Sequence, residues 1–171
     1  MELNDLTPRC GEWLKGSGPE SDIVISSRIR LARNLAEYPF ISRASEQDRE
    51  QIEQTLREQV LHVAEQTGEL LYVNVNDLLG LDRQFLVERQ LISREHADSD
   101  GARAVAIDAD EQVALMINEE DHLRIQVMHS GLDLHAAWEQ ISGIDDLVES
   151  GVMYAYDRRI GYLTACPTKG C

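Results

Sequence analysis

An α+β fold, an antiparallel sheet flanked by helices, is predicted for this chain on three observations. Segments 22–34 and 122–127 alternate apolar and polar residues with the two-residue period of a strand. Ile52, Leu56, Val60 and Val63, and later Leu134, Ala137, Trp138, Ile141 and Leu147, recur instead at helical spacing. Between the helical stretches, apolar segments are joined by short polar turns, the connection that suits antiparallel neighbours.

The first element expected is a strand over Asp22 to Asn34, with Ile23, Ile25, Ile29 and Leu31 on one face and Val24, Ser26, Arg28 and Arg30 on the other. Two guanidiniums beside hydroxyls make a phosphate cradle, because arginine's rigid fork of donors matches phosphate oxygens and stays charged at physiological pH. Two arginines alone are also what a solvated strand face shows. A helix then begins at Ser45, with Asp48 placed to reach back as in a capping box, and stops at Gly68. Glu50, Glu53, Arg57 and Glu58 form its wet side.

Leu70 to Val75 reads as a strand, Leu81 to Leu91 as a short helix, and Ser93 to Gly101, rich in charge and small residues, as a loop. Strands Arg103 to Ile107 and Gln112 to Ile117 flank the turn Asp108 to Glu111, and a third strand runs from His122, so the meander places Asn118-Glu119-Glu120-Asp121 in a bend. If the extended backbone reaches back to Glu120, that carboxylate joins Arg124 on one face. At about 7 Å per two-residue step, doubled for four residues, a substrate fits between them and a direct ion pair is not expected. Taken alone, this acidic stretch is what a charged hairpin turn shows. A second amphipathic helix, interrupted near Gly143 and carrying Trp138 in its core face, and a last strand from Tyr162 to Cys166 complete the order.

A length of 171 residues suffices for one buried core, with residues 1–20 expected as a leader and 21–171 as a single domain. A formal charge of -15 argues against nucleic acid, whose phosphates need a basic surface, and favours a cationic substrate. No apolar run approaches the roughly 20 residues that span a bilayer, and the first residues lack a signal-peptide core. A cytoplasmic location without a membrane partner is therefore expected. Cysteines at positions 10, 166 and 171 give no disulfide framework, and with the five histidines show no zinc-like pairing, so no protein-held metal is expected.

Three separated motifs carry a resemblance. They are Ser26-Ser27-Arg28-Ile29-Arg30-Leu31-Ala32-Arg33-Asn34 followed by Tyr38-Pro39-Phe40, then Asn118-Glu119-Glu120-Asp121-His122, then Gly161-Tyr162-Leu163-Thr164-Ala165-Cys166-Pro167-Thr168. In this order they resemble the ATP:guanidino phosphotransferases, the phosphagen kinase family. Trp13-Leu14-Lys15, Gly18 to Asp22, Leu86 to Ser93 and the short stretch before the first motif resemble its bacterial protein-arginine kinase branch.

The resemblance implies the fold of the glutamine synthetase/guanidino kinase catalytic domain, incomplete at its C-terminal side, because the family continues where this sequence reads Lys169-Gly170-Cys171. Weak or no activity of the isolated chain is the corresponding expectation. ATP would lie on Ser26, Ser27, Arg28, Ile29, Arg30, Gln90 and Arg124, with Mg²⁺ held mainly by the nucleotide. Gln90 departs from the family's histidine beside the adenine, although an amide also packs against or hydrogen-bonds a purine. Glu120 would orient the substrate guanidinium and take its proton, Cys166 would be the active-site thiol, and Glu119, Asp121 and His122 would support them. The implied activity is phosphorylation of arginine in proteins, the alternatives being a kinase of free arginine or another small guanidino compound, and a non-catalytic binding or regulatory module. Implied partners are protein substrates with exposed arginine, a heat-shock repressor, a zinc-containing adaptor and the Clp protease.

Overall fold

Ser45 opens the first helix as its spacing predicts. In the computed structural model, which describes residues 2–166, its side chain accepts from the Asp48 backbone N–H while Asp48 answers with a bond to the Ser45 backbone. Along the chain come β1 (Ser26–Arg33), α1 (Glu46–Thr67), β2 (Leu70–Asn74), α2 (Gly80–Glu88), α3 (Arg94–Asp98), β3 (Ala104–Asp108), β4 (Val113–Ile117), β5 (Leu123–Ser130), α4 (Leu134–Glu149) and a small hairpin of β6 (Tyr156–Asp157) and β7 (Gly161–Tyr162). The main sheet runs β1-β5-β4-β3-β2 with every pair antiparallel. It is the predicted meander β3-β4-β5 with one strand added at each edge, and α1 carries the chain between those edges.

The two faces of the sheet are covered differently, and that difference makes the site. Helices α1 and α4 pack against one face, where Ile52, Leu56, Val60 and Val63 meet Leu115, Ile125 and Val127. On the other face α2, α3 and the N-terminal segment bury the half over β2, β3 and β4, through Leu6, Leu86, Leu91, Val105 and Met116. Over β1 this face stays open, leaving Arg28 and Arg30 exposed, whereas over β5 the turn at Glu12–Leu14 and its neighbours bury Gln126, Met128 and Ser130. Residues before Asp22 are part of this packing. Leu6 is fully buried, Ser17 and Gly18 donate backbone N–H groups to Ser130 Oγ, and a Cβ on Gly18 would stand 1.8 Å from the Ser130 carbonyl oxygen.

Several expectations are corrected. The alternation at Ile23 and Ile25 does not extend the strand, because Ile23 and Val24 donate back to the Glu20 carbonyl in a turn that leaves both isoleucines exposed. The stretch after Ser93 contains the helix α3, capped by the Ser93 side chain on the His96 N–H and anchored by buried His96 and Ala97. Helix α4 runs through Gly143 unbroken. Glycine costs about 1 kcal/mol there, which burial of Ala137, Ile141, Ile144 and Val148 offsets. That inward stripe leaves Trp138 54% exposed, outside the core. The last strand is only Gly161–Tyr162, and residues 163–166 follow without a ladder. Pro167, Thr168 and Cys171 lie outside the described residues. Among those residues no helix is long and apolar enough to cross a membrane.

Candidate active site

Sheet register builds the cationic wall. Arg28 stands opposite Met128, Arg30 opposite Gln126, and Ala32 opposite Arg124. Facing partners in an antiparallel ladder project to the same side, so Arg28, Arg30, Arg124 and Gln126 share one face of the sheet, the first two exposed and the last two buried. Burial, with the neighbouring Arg28 and Arg124 guanidiniums, pushes the Arg30 pKa below its ordinary value. Like charges gathered in this way favour an anion between them.

The acidic wall comes from a bend rather than from an extended strand. Asn118 has φ +58 and its N–H donates to the His122 carbonyl at 2.9 Å, while its amide donates to the Arg49 and Ala102 carbonyls at 2.7 and 2.8 Å. This turn curls Glu119 and Glu120 back over β5. The expected separation of Glu120 from Arg124 is therefore absent: Arg124 Nη1 lies 2.8 Å from both Glu119 carboxylate oxygens, and Nη2 lies 3.5 Å from Glu120 Oε2. Glu119 also accepts from Ser93 Oγ at 2.6 Å. Its side chain is 6% exposed, against 49% for Glu120. Arg30, Arg124, Glu119, Glu120 and Ser93 together line one cleft of about 550 Å³.

The remaining site residues divide into two groups. Gln90, in left-handed conformation with φ +63, places its Oε1 3.5 Å from Arg28 Nη1 and accepts from Gln126 Nε2 at its own carbonyl, 2.7 Å away. Ser26, opposite Ser130, shares the face of Arg28 and Arg30. Ser27 does not. Its hydroxyl donates to the Gly131 carbonyl and accepts from the Asp133 N–H at the start of α4. Ile29 likewise packs into the core on the helical side.

Asp121 and His122 are fully buried. His122 Nδ1 accepts from the Leu35 N–H at 2.9 Å, so Nε2 carries the proton that bonds the Pro39 carbonyl, also at 2.9 Å. With Nδ1 accepting, the ring is neutral in this arrangement, and burial pushes its pKa down in the same direction. Asp121 Oδ1 accepts from Asn34 Nδ2 at 2.7 Å and from the Ala165 N–H at 2.6 Å, which brings the half-buried Cys166 segment against the acidic bend. Sequence reasoning gave no role to Ser93 or Asn34. Ser93 was legible as a helix cap three residues before His96, whereas nothing local in the sequence marks Asn34.

The chain spans about half the length of the curated relatives that it matches. The protein-arginine kinase of Symbiobacterium thermophilum is 46% identical over 171 residues, which cover 98% of this chain and 48% of that protein. That of Bacillus cereus strain AH187 is 42% identical over 157 residues, covering 91% and 44%. Among solved structures, a duplicated taurocyamine kinase from Schistosoma mansoni with bound transition state analog components superposes with TM-score 0.78 at 24% identity, over 98% of this chain and 24% of that one. A lombricine kinase does so with TM-score 0.75 at 21% identity, over 97% and 48%. These two share the fold of the sheet and helices described above. The family described as ATP:guanido phosphotransferase, C-terminal catalytic domain, matches residues 51–170, which include the acidic bend, Arg124 and Cys166. With that match and those relatives behind the shared geometry, the chain belongs to the ATP:guanido phosphotransferase family.

Proposed function

We propose that this chain carries the nucleotide cradle and the guanidinium-facing carboxylates of a kinase that transfers phosphate from ATP to arginine side chains of proteins. The observation that carries the reading is the single cleft on which Arg30, Arg124, Glu119 and Glu120 meet, a cationic wall for phosphate beside an anionic one for a guanidinium. Relatives bearing the name protein-arginine kinase support a protein acceptor. Heat-shock repressor, adaptor and Clp protease remain the partners of the whole protein that the family resemblance implies.

In this reading Arg28, Arg30 and Arg124 bind phosphate oxygens and offset charge where it develops in the transition state. Arg124 then exchanges its carboxylate partners for phosphate. Glu119 keeps the Ser93 bond, and the more exposed Glu120 turns to the incoming guanidinium. The guanidino nitrogen attacks the γ-phosphorus in line, the N–P bond forms as the bond to the ADP oxygen breaks, and Glu120 accepts the proton released from nitrogen. A guanidinium pKa above about 12 forbids transfer to a carboxylate beforehand, so proton loss accompanies bond formation. Mg²⁺ carried in with the nucleotide would neutralise charge at the phosphates. Its ligands would come mainly from the nucleotide, with water completing the shell.

Calorimetry tests the cradle. ATP is expected to bind, and Arg28→Ala or Arg30→Ala to weaken it by about tenfold or more, the cost of a charge-assisted hydrogen bond. No ATP heat from the parent chain would leave only a non-catalytic module. For turnover, the 171-residue chain alone is expected to be weak or inactive. In a full-length enzyme Glu120→Gln is expected to abolish transfer while ATP affinity stays within about threefold. Acid-labile phosphate appearing on free arginine but not on casein-like protein would reassign the acceptor.

A further inference from the structure

Asn34 is 1% exposed, and the two polar atoms of its side chain bond both the acidic bend and the chain leading to Cys166. Its Nδ2 donates to Asp121 Oδ1 at 2.7 Å and to the Leu163 carbonyl at 3.1 Å, and its Oδ1 accepts from the His122 N–H at 3.0 Å. The same Asp121 oxygen accepts from the Ala165 N–H. The Asn34 backbone carbonyl accepts from the Ala155 N–H at 2.7 Å, and the Ala155 carbonyl in turn accepts from the Leu163 N–H. The neighbouring Arg33 forks onto Asp145, with Nε 3.1 Å from both carboxylate oxygens, and lies 3.8 Å from the centre of the Tyr162 ring.

The end of the strand that bears the phosphate-facing arginines therefore grips the chain leading to Cys166 at three points. Arg33 holds residue 162, Asn34 holds residue 163, and Asn34 through Asp121 holds residue 165. Between Leu163 and Cys166 there is no ladder, and the Thr164 hydroxyl bond to the Cys166 carbonyl is purely local. Side chains set the path of this segment where a strand would otherwise do so.

We propose that Asn34 is a positioning residue for Cys166, holding the thiol-bearing segment in register with the carboxylate bend. The inference rests on the reading of Cys166 as the thiol at the guanidinium site. Removing the Asn34 amide leaves the buried Asp121 with one donor fewer and strips the Leu163 carbonyl and His122 N–H of a partner. Buried groups so stranded move to recover partners, and the segment beyond Tyr162, which has no ladder, moves with them.

In the chain carrying Cys10→Ser and Cys171→Ser, alkylation by iodoacetamide reads Cys166 alone. Asn34→Ala is expected to raise the alkylation rate about fivefold, the factor that corresponds to one ordinary hydrogen bond. Should that variant not fold, Asn34→Ser, too short to reach Leu163 and Asp121 together, carries the same expectation. Asn34→Asp keeps the acceptor for His122 but loses both donors and sets a carboxylate against Asp121, so it is also expected to accelerate alkylation. The swap Asn34→Asp with Asp121→Asn, which restores the pair with donor and acceptor exchanged, is expected to return most of the lost protection. Ser45→Ala, which removes a cap on α1 outside this network, is expected to leave the rate unchanged. Folded Asn34 variants that alkylate at the parent rate would overturn the proposal, as would equal acceleration by Ser45→Ala. Protection of Cys166 by free arginine is scored separately: an Asn34 effect without it supports the positioning and removes the thiol from the guanidinium site.

Discussion

His96 and His122 are both buried and both neutral, yet only one belongs to the cleft's scaffold. His96 donates Nε2–H to the Ala104 carbonyl, its Nδ1 has no partner among the described residues, and burial pushes its pKa down to about 4. A histidine whose pKa is lower folded than unfolded binds more protons unfolded. The stability it contributes is complete above about pH 6.5, the unfolded value, and is lost as pH falls from there toward 4. For His96 alone the expected loss between pH 7.5 and 5.5 is about 1 kcal/mol, read from urea midpoints, and His122 adds in the same direction. Burial raises the Asp108 and Glu111 carboxyls, which act oppositely near the acid end. His96→Gln keeps those carboxyls and a donor for Ala104, so it isolates the histidine. An equally steep profile in that variant would refute the assignment. At this scale the arginines of the cleft were legible, because two-residue alternation alone puts Arg28 and Arg30 on one face. The Glu119 and Glu120 pairing with Arg124 was not, because it depends on the left-handed Asn118, and a backbone reversal at one residue cannot be read from alternation that begins after it.

Among the elements, α1 could be drawn residue by residue, from its cap at Ser45 and Asp48 to the buried stripe of Ile52, Leu56, Val60 and Val63. Helix α3 could not. Its five residues are mostly polar, and it exists through the Ser93 cap and the burial of His96 and Ala97 beneath it. Because Ser93 Oγ both caps α3 and bonds Glu119, Ser93→Ala is expected to cost about 1 kcal/mol in urea denaturation, with Ser93→Thr recovering most of it. Midpoints of Ser93→Ala and parent that coincide would show that the cap does not hold the helix. The opposite error, an interruption written into α4 at Gly143, came from weighing a local propensity above the packing of a whole helix face.

For the molecule as a whole, meander and flanking helices were legible from period and turns, but strand order was not. That β1 lies beside β5, with α1 crossing to the far edge, depends on pairing over about a hundred residues, which no local pattern encodes. The formal charge of -15 acts at this scale too. Its field reaches about 30 Å at 0.01 M salt and about 10 Å at 0.1 M. An arginine-rich peptide is therefore expected to bind markedly more weakly at the higher salt by fluorescence anisotropy, while ATP, held at short range against the overall field, changes less. Equal salt dependence for both would contradict this separation.

The pairing of Ser26 with Ser130 also sets a schedule for synthesis. At translation rates of about 5–20 residues per second, the arginine-bearing strand emerges roughly 5–20 s before β5, its sheet neighbour among the described residues. Throughout that interval its backbone groups seek other partners. The pace of synthesis between these two strands thus sets how long the edge waits for its partner.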